Sequence, residues 1–258
     1  MTFTDFPDSN VPIAGTRIPP LYSYGLNVHL NTTAPDTMLD LHEGVCCDRY
    51  DNIDMFIPET INLNAAVVGV NGMDTGALGA STFYYIYVIG SSNGFKSPAG
   101  LISASREDPI LPTGYDSYRM IDIKVTDGDS DFLLTYTDGS YKEKTFLYDT
   151  PIDVHDAAGS LTWDAISLAA VVAPSLSTPM VQFISNLTPN TAANILYLRP
   201  TGSSSTDGFT SMNAPVVSVV SVCELNCFSI NAVPSIDYKT TEADDAFVLS
   251  IKSFTYNI

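Results

Sequence analysis

The chain has 258 residues, 45% of them hydrophobic, which is enough for a buried core and incompatible with global disorder. Only 16% are charged, and 29 Asp+Glu against 11 Lys+Arg leave a net charge of -18. Such a chain is repelled by phosphate backbones, and no apolar run reaches the ~18 residues of a membrane span, so nucleic acid and membrane insertion are not expected.

Met1–Gly25 carries Pro7, Pro12, Pro19 and Pro20 with Phe3, Phe6, Ile13 and Ile18 between them. Four prolines deny it a helix, so this segment is an extended Pro-rich arm that docks on something, or else a frayed terminus. Its first residues lack the positive and apolar regions of a secretory leader, so a soluble protein made in a cytoplasm is expected. From Leu26 come short strands at regular spacing: Leu26–Asn31, Thr37–Leu41, Val45–Asp48, Ile53–Phe56 and Ile61–Val70. Asn71-Gly72 then turns the chain.

Ser81–Ile89 has the strongest pattern. Phe83, Tyr85, Tyr87 and Ile89 alternate with Tyr84, Ile86 and Val88, so both faces are apolar and the strand is central. Ala99–Ser105 and Tyr118–Thr126 follow, and the three are expected to form a meander. Between the first two lies Gly90-Ser91-Ser92-Asn93-Gly94, which fits the G-x-S-x-G of serine hydrolases. That chemistry needs a helix after the serine, and Phe95-Lys96-Ser97-Pro98 does not start one; the segment reads as a hairpin turn.

Asp127-Gly128 and Asp138-Gly139 predict two further hairpins, with strands at Phe132–Thr137 and Tyr141–Tyr148. Asp127, Asp129 and Asp131 have the spacing that opens a calcium loop. Phe132 and Asp138 stand where an EF-hand places its glycine and glutamate, so the pattern fails beyond the aspartates. Thr150-Pro151 marks the expected domain boundary. Beyond it lie the apolar stretch Ser160–Ala173 around the only tryptophan, Trp163, and strands at Val181–Leu187, Ile195–Arg199, Pro215–Val222, Cys227–Ala232 and Phe247–Tyr256. The polar loop Pro200–Gly208 is either a site or a plain connection.

The fold expected is therefore all-β: two β-sandwich, jelly-roll-like lobes at 26–150 and 151–258, preceded by the arm at 1–25. Cys46-Cys47 and Cys223/Cys227 lack zinc-knuckle spacing and read as buried free thiols. His29, His42 and His155 lie far apart in the chain, in no metal-binding pattern. No catalytic, cofactor-binding or metal-ligating residue is assigned, although the many carboxylates leave a paired-carboxylate glycosidase open.

Five phrases, Asn71–Leu78, Ser81–Ile89, Gly100–Ser105, Leu111–Arg119 and Leu198–Gly202, together resemble bacteriophage and prophage virion proteins of the tail-fibre or head-fibre type. The resemblance implies a virion component with no enzymatic activity. It would decorate the capsid or form part of the tail apparatus, partnered by itself, most simply as a trimer, and by other virion proteins. A fibre shaft needs long repeats, and none is present. The alternative is a carbohydrate-binding module that uses exposed tyrosines on a host glycan. A glycan-cleaving enzyme is a third reading.

Overall fold

The computed structural model describes residues 22–139, 143–173, 180–189, 194–215, 220–228, 234–243 and 246–257. Its nineteen strands, with no helix among the described residues, confirm the all-β, sandwich-like class. In chain order they are β1 (Ser23–Gly25), β2 (Val28–Leu30), β3 (Met38–Leu41), β4 (Gly44–Cys47), β5 (Asp54–Ile57), β6 (Ile61–Val68) and β7 (Gly72–Met73). There follow β8 (Phe83–Gly90), β9 (Ala99–Ser103), β10 (Ser117–Val125), β11 (Thr135–Gly139), β12 (Glu143–Ala158) and β13 (Asp164–Ser167). The last six are β14 (Met180–Leu187), β15 (Asn194–Pro200), β16 (Thr210–Ala214), β17 (Ser221–Phe228), β18 (Ser235–Thr240) and β19 (Ala246–Asn257).

The chain divides into two compact units. The first takes residues up to Ala80, Tyr84–Lys124 and Ser130–Phe132; the second takes Ser81–Phe83, Val125–Asp129 and the chain from Leu133. The break expected at Thr150-Pro151 instead falls inside β12, which runs unbroken from Glu143 to Ala158. Pro151 is accommodated there because the β12–β19 register slips between Leu147 and Ile152, and a bulge does not need the missing N–H. Of the expected arm, residues 1–21 lie outside the described residues, while Ser23–Gly25 is strand β1, paired with β4.

In the first unit a seven-stranded sheet of order β10-β8-β9-β7-β6-β3-β2 accompanies a three-stranded sheet of order β1-β4-β5. One apolar cluster joins them, with Cys46, Met55 and Ile57 from the small sheet and Leu39, Leu63, Ile86 and Val88 from the large one. All eight residues of β8 are buried, as its two apolar faces require. The meander order is not observed, because β10 pairs with β8 and not with β9. Asp116 brings β10 back to the end of β8 by donating its amide to the Gly90 carbonyl (3.1 Å). The other edge of β9 is taken by β7, in parallel.

In the second unit a five-stranded sheet, β11-β12-β19-β14-β17, faces a four-stranded sheet, β13-β18-β15-β16. Phe146 stacks on Phe254 at 4.8 Å across the β12–β19 register, and Phe83 meets Phe254 edge-on at 6.1 Å. Tyr238 of the four-stranded sheet packs 5.1 Å from Phe247 of the five-stranded one, so the two inner faces form a single core. Strands β16 and β18 escaped the sequence reading. Thr210–Ala214 and Ser235–Thr240 alternate correctly, but their outward Ser211, Asn213, Asp237 and Lys239 conceal the apolar half of the period.

Phe254→Ala should lower stability by about 3–5 kcal/mol in chemical denaturation, because a buried ring is replaced by a cavity. Asn71 holds a positive φ of 59° and accepts the Gly100 amide at 2.9 Å. Asn71→Ala, which loses that bond and keeps the strained backbone, should cost about 2 kcal/mol in the same assay.

Candidate functional site

The segments with catalytic or metal-binding patterns are bonded into the scaffold. Gly90–Gly94 is the predicted turn: Gly94 has φ of 71° and donates its amide to the Ser91 carbonyl at 3.0 Å. Ser92 donates its amide and its hydroxyl to Asp116, at 2.7 and 2.5 Å, and these bonds hold the Asp116 carboxyl below the usual range. Asp127 accepts the Asp129 amide at 2.9 Å, a local turn contact. Among the described residues, no group of three or more His, Cys, Asp or Glu could hold a metal, so Asp127, Asp129 and Asp131 do not converge as a calcium loop.

All four cysteines are free thiols. Burial pushes the Cys46 thiol up to about 12. Cys47 and Cys227 are also buried, whereas Cys223, on the edge strand β17, is exposed, contrary to the expectation for all four.

The histidines, remote in sequence, are not all remote in space. His29 on β2 and His42 beyond β3 come together with ring centroids 5.0 Å apart, because β2 and β3 pair. Burial, followed by His42 and Lys124, pulls His29 below its ordinary 6.5, against Asp122 and Asp40. His155 stacks on Phe247 at 4.2 Å, with its Nε2 buried and without a partner among the described residues.

The arrangement with most chemical potential lies on the four-stranded sheet of the second unit. Leu196, Leu198, Met212, Ile236 and Tyr238 point into the core, so the alternate residues of β15 and β18 form the opposite face. On that face Tyr197 is opposite Lys239, and Arg199 is opposite Asp237. The Arg199 guanidinium stands 4.0 Å from the Trp163 ring centroid. It donates Nε–H to Asp237 at 3.1 Å and Nη1–H to the Ser205 carbonyl at 2.7 Å.

One side chain thus secures both the indole and the polar loop between β15 and β16. The loop is closed by the Phe209 amide on the Leu198 carbonyl (2.7 Å) and the Ser205 hydroxyl on the Gly208 carbonyl (3.1 Å), with Gly202 and Gly208 at positive φ. Lys239 completes the cluster, 5.3 Å from the Trp163 centroid and 5.5 Å from that of Tyr197.

The sequence offers the loop Pro200–Gly208 as either a site or a plain connection, and it does not single out the residues beside it. Trp163 looked like the centre of an apolar stretch, of which only Asp164–Ser167 is strand. The overlooked signal was two cations within strands of a chain that has few. Comparison with family models, with curated proteins and with solved structures finds no match.

A pH dependence follows from the histidines. A histidine held below 6.5 in the folded state binds its proton more readily when unfolded, so its contribution is present above that value and is lost as pH falls through the folded one. His155 is depressed first of all by burial. Stability should therefore fall between about pH 7 and pH 5. His155→Phe, which keeps the stack on Phe247, should lessen that fall in thermal melts; an unchanged slope would show that His155 does not contribute.

Proposed function

We propose that this chain is a structural component of a bacteriophage virion, a capsid-decorating, head-fibre or tail-apparatus module that acts through protein–protein contacts and performs no reaction. The observation that carries this reading is where the virion-like phrases fall in the first unit. They bond to one another and to the residues between them. Asn71 accepts the Gly100 amide at 2.9 Å, and Asp74 accepts the Ser103 hydroxyl at 2.6 Å and the Ile110 amide at 3.0 Å. Tyr87 donates to the Ser105 carbonyl at 2.8 Å, and Tyr118 donates to Glu107 at 2.7 Å. Resemblance concentrated in residues that set the architecture supports a shared building block, since chemistry would instead place it around a cleft.

The proposal includes self-association as a homo-oligomer, with three copies on the strength of the resemblance alone. Edge strands support it: the five-stranded sheet ends on β11 and β17, where Tyr136 is 51% and Val222 is 66% exposed. Apolar side chains along an unpaired strand edge favour association between copies.

Mass spectrometry of gradient-purified particles should find the chain at fixed stoichiometry with the capsid or tail proteins, and its absence from particles refutes the reading. Light scattering on the isolated protein should give three times 27.8 kDa. A monomer at all concentrations refutes self-association.

A further inference from the structure

The outer face of the four-stranded sheet holds two of the chain's 11 basic residues beside two aromatic rings, in a protein of net charge -18. The two cations are in different situations. Arg199 is engaged by Trp163, Asp237 and Ser205, with its charge paired by Asp237, and its side chain is only 14% exposed. Lys239 is not. The ion pairs among the described residues use Arg49, Arg106, Lys124, Arg199 and Lys252, and Lys239 enters none of them. Its contacts are the faces of Trp163 and Tyr197, all three side chains being partly exposed. A ring replaces only part of an ammonium's hydration, so Lys239 retains the capacity for an anion.

We infer that this face, formed by Trp163, Tyr197, Lys239 and the adjoining Ser/Thr-rich loop, binds the end of a glycan that bears a single carboxylate, such as a sialic or uronic acid residue. Each part of that ligand has a counterpart. The C–H face of a pyranose suits an aromatic ring, its carboxylate suits the Lys239 ammonium, and its hydroxyls suit the Ser203–Asp207 loop. The positioning of the indole and the loop by Arg199 removes the ordering cost that weakens binding to flexible surfaces. One available ammonium matches one carboxylate. It does not match the dense phosphates of a nucleic acid, which the overall charge opposes.

Trp163 is the only tryptophan, so its fluorescence in the full-length protein reports on this face alone. Sialyllactose and a glucuronate-capped trisaccharide are the probes, with lactose, the methyl ester of the glucuronate and an acidic glutamate peptide as comparisons. A saturable change in emission with either acidic sugar is expected, weakened about tenfold by Lys239→Gln at an unchanged melting temperature. Tyr197→Ala should weaken it as well.

The inference is overturned by three results: no binding of either acidic sugar at ~10 mM in fluorescence and calorimetry, equal binding of the uncharged sugars, or insensitivity to Lys239→Gln. Equal binding of the glutamate peptide overturns the assignment to a sugar. The site stands apart from the virion reading, because particle composition tests that one and titration of the soluble protein tests this one.

Discussion

A strand buried on both faces has no water to satisfy its backbone, so its neighbours must supply every hydrogen bond. That constraint governs the first unit. β8 is Phe-Tyr-Tyr-Ile-Tyr-Val-Ile-Gly with every residue buried, and it lies between β10 and β9. Each flank is then held by polar side chains: Asp116 ties the β8–β9 turn to the start of β10, and Asn71 and Asp74 tie β9 and the chain beyond it to the β7 bend. Two of the three tyrosines keep their hydroxyls bonded inside this arrangement, Tyr84 with the Gly79 amide and Tyr87 with the Ser105 carbonyl. Burying so many aromatic rings is thereby reconciled with burying their polar tips.

The second unit depends on a long pairing and not on a doubly buried strand. β12 and β19 run together through two register shifts, and the rings of Phe146 and Phe254 stack across them. The facing sheet has a core side of Leu, Ile, Met and Tyr, which leaves its other side outside that core. Arg199 shows how that side is used. A guanidinium that binds a carboxylate, a carbonyl and an indole face together turns a Ser/Thr-rich connection into a fixed wall beside two aromatic rings.

The acidity of the chain takes on a more specific meaning in this light. With a net charge of -18, general attraction to polyanions is absent, and an isolated cation acts only over the ~8 Å in which charges are felt at physiological salt. Recognition by Lys239 would therefore be a local matter of rings and one ammonium, suited to a ligand end and not to a charged polymer along its length. The virion reading makes a different demand, for strand edges and packed surfaces that join copies or neighbours, and these belong to other parts of the chain.

Period-two patterning was enough to establish the all-β class, the central position of Phe83–Gly90, the turn at Gly90–Gly94 and most strands with apolar inward residues, such as Met180–Leu187. These follow from local rules, since side chains alternate on a strand and glycine or asparagine takes the positive φ of a turn. Strand order and the grouping of side chains from distant strands were decided only in three dimensions. Nothing in Ser117–Val125 says that it pairs with β8 and not with β9, and nothing in Thr150-Pro151 says that a bulge will carry a strand through the proline. The same holds for the cluster on the four-stranded sheet. Trp163, Arg199 and Lys239 are separated by 36 and 40 positions, and they meet because β13, β18 and β15 lie side by side, an adjacency that sheet topology decides and local sequence does not encode.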